Sequence, residues 1–185
     1  EFDIYNQLFQ EVEKMTDIKL VKKKYRFLVR FLTKTCVITG ILAVILIWIL
    51  TIHRMSGNQM FPSVRDGDLC VFYKLEECYP GDIVLYEDKT GSIRLGRVAA
   101  MGGQSVEVAE EGGLVVNGCR TIDEIPYETY AAKGSSVLYP LTLAQDTYFI
   151  LNDFRSDTDD SRLHGPVDKK RIKGKLLFLF RRRGF

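Results

Sequence analysis

Two hydropathy patterns divide this chain near residue 53. From Thr35 to Ile52 the run TCVITGILAVILIWILTI holds no charged residue, and as a helix it is about long enough to cross the hydrocarbon core of a bilayer. Beyond residue 60 the pattern shortens into apolar runs rich in β-branched and aromatic residues: DLCVFYKL, GDIVLYED, SIRLGRVAAM, QSVEVAEE, GGLVVNG, DTYFILND and KGKLLFLFRRR. Gly, Asp and Asn punctuate these runs, as turns punctuate the strands of an antiparallel sheet. In EEGGLVVNG, Glu111, Gly112 and Gly113 predict a hairpin turn with positive φ angles. The predicted fold is mainly β, a curled sheet or barrel with irregular loops around 126–140, anchored by one N-terminal transmembrane helix. The expected boundaries are a cytoplasmic tail over 1–34, a span over 35–52 and an extracytoplasmic β domain over 53–185.

Charge decides the expected orientation. Lys22, Lys23, Lys24, Arg26, Arg30 and Lys34 precede the apolar run, whereas only His53 and Arg54 follow it closely. By the positive-inside rule the N-terminus is cytoplasmic and the β domain lies outside a cell membrane, with Trp48 as an interfacial anchor. A cleaved signal peptide is the weaker reading, because the run exceeds an ordinary signal core and IHRMSGNQM offers no small-x-small cleavage site. The first twenty residues carry Ile4, Leu8, Phe9 and Val12 at loose helical spacing. They read as a short amphipathic tail or as sequence upstream of a start at Met15, which leaves open whether residues 1–14 are native.

The whole chain of 185 residues has a net charge of +2, which argues against nucleic acid as a partner. Membrane lipid is the expected partner instead: Arg181, Arg182 and Arg183 read equally as a solvated strand end or as a patch that attracts anionic head groups, and Met60 with Phe61 is an apolar pair able to dip into the interface. Of the four cysteines, Cys36 lies in the span and Cys70, Cys78 and Cys119 lie outside. An odd number without ligand spacing predicts buried, unpaired thiols and no metal site, with a Cys70–Cys78 disulfide left open. No cofactor motif is present in the sequence.

Several motifs, in order, carry chemistry. Just after the apolar run stand Gly57, Asn58, Gln59, Met60, Pro62 and Ser63; then come Gly81-Asp82-Ile83-Val84, Gly96-Arg97-Val98, Gly103-Gln104 and Val116-Asn117-Gly118. The last is Asn152-Asp153-Phe154-Arg155, followed by Thr158, Asp160, Ser161, Arg162, Gly165 and Val167. Together they resemble the type I signal peptidases, membrane-anchored serine proteases that cleave signal peptides from exported proteins with a Ser-Lys dyad. That resemblance extends from the apolar run to the C-terminus. It implies Gln59 at the nucleophile position and Gly96 at the general-base position. It departs further at Asn152, Phe154 and Thr158, where the family has Gly, Asn and Ser.

A serine dyad needs a hydroxyl activated by a base, and Lys serves only when desolvation leaves it neutral. Gln59 offers an amide and Gly96 no side chain, so the expected state is a peptidase fold without its dyad. Ser56 and Ser63 start from different backbone positions, Arg97 stays protonated, and Lys74 and Lys89 lie in other segments. His164 with Asp160 is the remaining substitute, although a lone histidine at this place reads more simply as a surface group. Asp160 and Arg162 are expected to pair, Asp153 and Arg155 to supply turn and surface polarity, and RLHGPV to form a tight turn at Gly165. Thr158 and Ser161 complete this structural support. The implied peptide cleft is Gly57, Asn58, Gln59, Met60, Pro62, Gly96 and Arg97.

Within the family, loss of both dyad residues resembles the SipA-type pilus-assembly proteins of Gram-positive bacteria. The expectation is a non-proteolytic, peptide-binding accessory factor or chaperone whose partner is a pilin or a sortase. The alternative is an active signal peptidase with a non-standard nucleophile.

Overall fold

The computed structural model describes residues 2–122 and 125–181. One helix, α1, runs Phe2–Ile49, and a compact β unit spans Ile49–Phe185. The tail and the apolar run thus share one helix, which is long and apolar enough over Gln10–Ile49 to cross a membrane. The side chains of Ile4, Leu8 and Phe9, and all of Arg182 and Arg183, lie outside the described residues.

The helix stops at Ile49, short of the expected end at Ile52. Leu50–Arg54 forms strand β1, paired antiparallel with β2 (Leu69–Tyr73) from Leu50 opposite Tyr73 to Arg54 opposite Leu69. The β-branched Thr51 and Ile52 suit a pleated strand, and the neighbouring ladder supplies hydrogen bonds that a longer helix would forgo.

The remaining strands are β3 (Ile83–Glu87), β4 (Ile93–Met101), β5 (Ser105–Val108), β6 (Leu114–Val116), β7 (Cys119–Arg120), β8 (Leu141–Thr142), β9 (Thr147–Leu151), β10 (Val167–Asp168) and β11 (Ile172–Phe180). Every strand expected from the sequence is present, and the short β7, β8 and β10 join them. Seven strands form one antiparallel sheet in the order β1-β2-β11-β3-β4-β9-β10, and four form another in the order β7-β6-β5-β8. The large sheet is open, because β1 and β10 are its edges. Register shifts at Leu176/Phe178, Ile172/Gly174 and Val98/Ala100 put the bulges that curl such a sheet into its central strands.

Side-chain alternation divides the core. Met55, Met60, Val64, Cys70, Phe72, Leu85 and Leu95 pack on one face. Val84, Tyr86, Val98, Tyr148 and Ile150 pack on another, with Cys78. A third cluster, including Val106, Leu114 and Phe149, lies under the small sheet. The hairpin between β5 and β6 turns at Gly112 and Gly113, with φ of 93° and 107°; Glu111 does not share their positive φ. Cys70 and Cys78 are buried and unpaired, but Cys119 is exposed, contrary to the expectation that it too is buried.

Candidate functional site

The loop after β1 is a knot of short-range hydrogen bonds on an apolar footing. Phe61 N–H donates to Asn58 O, Val64 N–H to Met60 O, and Gly57 N–H to the Asp66 carboxylate at 2.8 Å. Met55, Met60 and Val64 plug this loop into the core. Two expectations therefore change. Met60 is fully buried, so it neither lines an open cleft nor dips into lipid, while Phe61, at 37% exposed, stays at the surface under the Arg65 guanidinium. Met60 and Phe61 lie in a turn, in which Met60 packs into the core cluster and Phe61 faces outward.

Gln59 is half-buried, and its backbone carbonyl accepts the Phe154 N–H at 2.9 Å. Its side chain folds back on its own loop: a Cβ added to Gly57 would lie 2.4 Å from Gln59 Oε1. Gly57, at φ +90°, leaves room for that amide. Asn58 is exposed and Pro62 half-buried, so both remain at the surface.

Gly96 sits in β4 opposite Val84 of β3 and is buried. A Cβ there would meet Ile150 Cγ2 at 2.4 Å, Tyr86 Cε1 at 3.3 Å and Leu151 O at 3.4 Å. The space that any side chain at position 96 would enter is filled by a neighbouring isoleucine and tyrosine. No feature of the sequence near Gly96 foretells this, because Ile150 lies on another strand.

Arg97, expected in the cleft, is committed to the protein. Its Nε and Nη2 donate to the two Asp153 carboxylate oxygens at 2.8 and 2.6 Å, Nη2 also donates to Ser63 Oγ at 3.0 Å, and Nη1 donates to Gly81 O at 2.7 Å. One guanidinium thus joins the first, second and last motifs. Ser63 receives a hydrogen bond from a group that cannot take a proton, so this contact does not activate it.

The last motif is a buried polar network. Asp153 and Arg155, expected at the surface, are both buried, because their partners lie inside the sheet rim rather than in solvent; Arg155 donates to Asn152 O. Arg162 and Asp160 pair at 2.7 Å with both side chains fully buried. The rest of the Arg162 guanidinium binds the carbonyls of Arg155, Asp157 and Tyr130, and Asp160 accepts the Asn152 and Arg162 N–H groups. Such saturation is what makes a buried charge pair tolerable. RLHGPV is not a bare turn: Asp160 caps a short helix, α2 (Ser161–His164), and Gly165 closes it at φ 79°. Thr158 is half-buried, with its carbonyl accepting the Asp160 N–H. Ser161 Oγ accepts the Ile150 N–H at 2.9 Å.

The His164 imidazole bonds the Asp159 carboxylate at 2.6 Å rather than that of Asp160, whose carbonyl accepts the His164 N–H, and Asp159 also binds Arg94 at 2.7 Å, which in turn holds Asp88. The His164 and Arg94 bonds draw the Asp159 carboxyl below its ordinary range, despite partial burial. Asp88 works against burial too, but Thr90, Arg94 and the Ser92 amide hold it well below that range. No group of three or more metal-ligating side chains occurs among the described residues. The arrangement can position backbone and surface groups; Gln59 presents an amide and Gly96 no side chain.

The chain is similar to known proteins. Signal peptidase IB of Staphylococcus aureus (strain COL) is 28% identical over 153 residues, covering 72% of this chain and 78% of the relative. A protein called inactive signal peptidase IA, from Staphylococcus aureus (strain Mu50 / ATCC 700699), is 27% identical over 153 residues, covering 75% of this chain and 86% of the relative. Among solved structures, a signal peptidase I from Enterococcus faecalis V583 aligns over 56% of this chain and 100% of its own, at 23% identity and a TM-score of 0.48. The family model for signal peptidase, peptidase S26, matches residues 28–181. With the apolar run Thr35–Ile52, strands β1 to β11 and the ordered motifs all inside that span, the chain belongs to the signal peptidase S26 family.

Proposed function

We propose that this chain is a signal-peptidase-like protein without proteolytic activity, tethered by α1 with its N-terminus in the cytoplasm and its β domain on the outer face of the membrane. There it binds an extended peptide of a pilin or sortase, through Gly57, Asn58, Gln59 and Pro62, as an accessory factor or chaperone of pilus assembly. The observation that carries this reading is the state of the dyad positions: the Gln59 amide folds onto Gly57, and Ile150 and Tyr86 occupy the space at Gly96. A relative named inactive signal peptidase supports it. The intact Arg97–Asp153 and Arg162–Asp160 pairs are consistent with a retained scaffold, and main-chain pairing with a peptide strand needs no nucleophile.

The test is incubation of the detergent-solubilised chain with an exported precursor. No signal cleavage is expected. Cleavage abolished by Ser56→Ala or Ser63→Ala would establish the competing reading, an active signal peptidase with a non-standard nucleophile. A photo-crosslinker at Gln59 in native membranes is expected to capture a pilin or sortase. Crosslinks obtained only from probes within Thr35–Ile52 would instead make the chain a membrane scaffold.

A further inference from the structure

Helix α1 ends at Ile49, and Leu50–Arg54 is an edge strand of the large sheet. The open edge of such a strand carries unpaired N–H and C=O groups, which the hydrocarbon core of a bilayer does not admit. What crosses the core is therefore helix alone. From Thr35 to Ile49 the helix rises about 22 Å at 1.5 Å per residue, short of a core about 30 Å thick. About five more residues are needed, and they bring the core boundary on the N-terminal side to Arg30. Lys34 then starts inside the core, and its long side chain reaches back to the head groups.

The cations of this stretch are sorted to one side. Lys22, Arg26, Arg30 and Lys34 recur every four residues, so they form one row along α1, with Lys23 beside it. Val21, Tyr25, Leu28, Phe31 and Leu32 take the opposite side, all of them exposed, and of the cations between 21 and 34 only Lys24 falls among them. Like charges four residues apart repel, and no Asp or Glu occurs between Asp17 and Asp66 to offset them. The row calls for anions from outside the chain.

Depth and charge together name those anions. The row starts at the core boundary and leads about 18 Å away from it, while the apolar side runs on without a break into the span. Phosphates held at that depth beside hydrocarbon match both sides at once. An arginine fork fits a phosphate through two hydrogen bonds, and each lysine adds a point charge. We infer that Lys22, Arg26, Arg30 and Lys34 bind the head groups of anionic phospholipids in the leaflet on the N-terminal side of the span. The inference rests on the membrane tether proposed above and is independent of the dyad positions and of any bound peptide.

The test reconstitutes the full chain in phosphatidylcholine vesicles that carry a trace of spin-labelled phosphatidylglycerol or spin-labelled phosphatidylcholine. Electron paramagnetic resonance reads the fraction of label immobilised by the protein. A preference for phosphatidylglycerol of at least about threefold is expected, declining as salt is raised. Arg26→Gln/Arg30→Gln should at least halve the preference, and Lys22→Gln/Arg26→Gln/Arg30→Gln/Lys34→Gln should bring it near one. Arg26→Lys/Arg30→Lys should keep most of it, since charge at that depth is retained. Circular dichroism should show the same helix content in all variants. A preference that survives the fourfold change, or that Arg181→Gln alone abolishes, would place the lipid elsewhere and overturn the inference.

Depth is read separately. In Cys119→Ser a nitroxide attaches to exposed Cys36, because Cys70 and Cys78 are buried, and it is expected within the hydrocarbon core. A nitroxide at head-group depth would put Arg26 and Lys22 beyond the lipid phosphates and overturn the inference. Extraction of the chain from vesicles by alkaline carbonate would overturn the tether and this site with it, whereas an inserted chain without lipid preference overturns this site alone.

Discussion

Arg97 and Asp153 meet through two parallel hydrogen bonds of 2.8 and 2.6 Å, between a partly exposed guanidinium and a fully buried carboxylate. Arg97, next to Gly96, thus works as the clamp among three motif segments. A guanidinium fork matches a carboxylate in a way no ammonium can. Asp153→Ala, which strands the half-buried cation, is expected to cost about 3–5 kcal/mol, and Arg97→Lys about 1.5–3 kcal/mol through the lost second bond. Denaturant unfolding of both variants checks this; a loss in Asp153→Ala no larger than that of an exposed substitution would show that the clamp is not structural.

The closed space at Gly96 leaves little room for a longer side chain there. Gly96→Ala should destabilise by about 1–3 kcal/mol through overpacking, since its Cβ would lie 2.4 Å from Ile150 Cγ2. The double variant Gly96→Ala/Ile150→Ala should lose less than the sum of the single losses, because Ile150→Ala removes the clashing methyl. The pair Gln59→Ser with Gly96→Lys should give no signal cleavage. Measured cleavage by that pair would mean that Tyr86 and Ile150 yield readily to a lysine.

Burial pushes the Cys70 thiol up to about 11 from 9.0, with Asp68 adding to the effect, and burial raises Cys78 as well. The folded state therefore holds these protons more tightly than the unfolded state. Stability is fully present below pH 9.0 and falls as pH rises towards 11. Unfolding midpoints measured across that interval should decline, and less so in Cys70→Ala measured against its own value at neutral pH. At neutral pH a thiol reagent should label exposed Cys119 while Cys70 and Cys78 react only after unfolding, as mass spectrometry of labelled peptides will show.

Acid acts at the other end of the sheet. The carboxyls of Asp88 and Asp159 both lie below their ordinary value of 3.8, so the stability they contribute is present above that pH and is lost as pH falls through their own lower values. Arg94 joins the two. Arg94→Met should lower stability at neutral pH and flatten the acid limb of the unfolding profile; an unchanged acid limb would show that other carboxylates govern it.

Much of this molecule was legible in its sequence because the relevant physics is local. An uncharged run as long as Thr35–Ile52 makes a helix apolar enough for a membrane, alternating β-branched runs make strands, and paired glycines such as Gly112 and Gly113 make a hairpin. The ordered motifs placed the chain in its family without any coordinates. Tertiary structure decided what depends on partners distant in the chain. It ended the helix at Ile49, because β2 offers Leu50–Arg54 a ladder. It drew Met60, Asp153 and Arg155 inside, turned Arg97 from a cleft residue into a clamp, and paired His164 with Asp159. It also packed Ile150 and Tyr86 against Gly96. Periodicity and residue type say which side chains want burial or a partner; only the packed sheet says which atoms meet, because contact energies fall away within a few ångströms while the residues that supply them lie many positions apart.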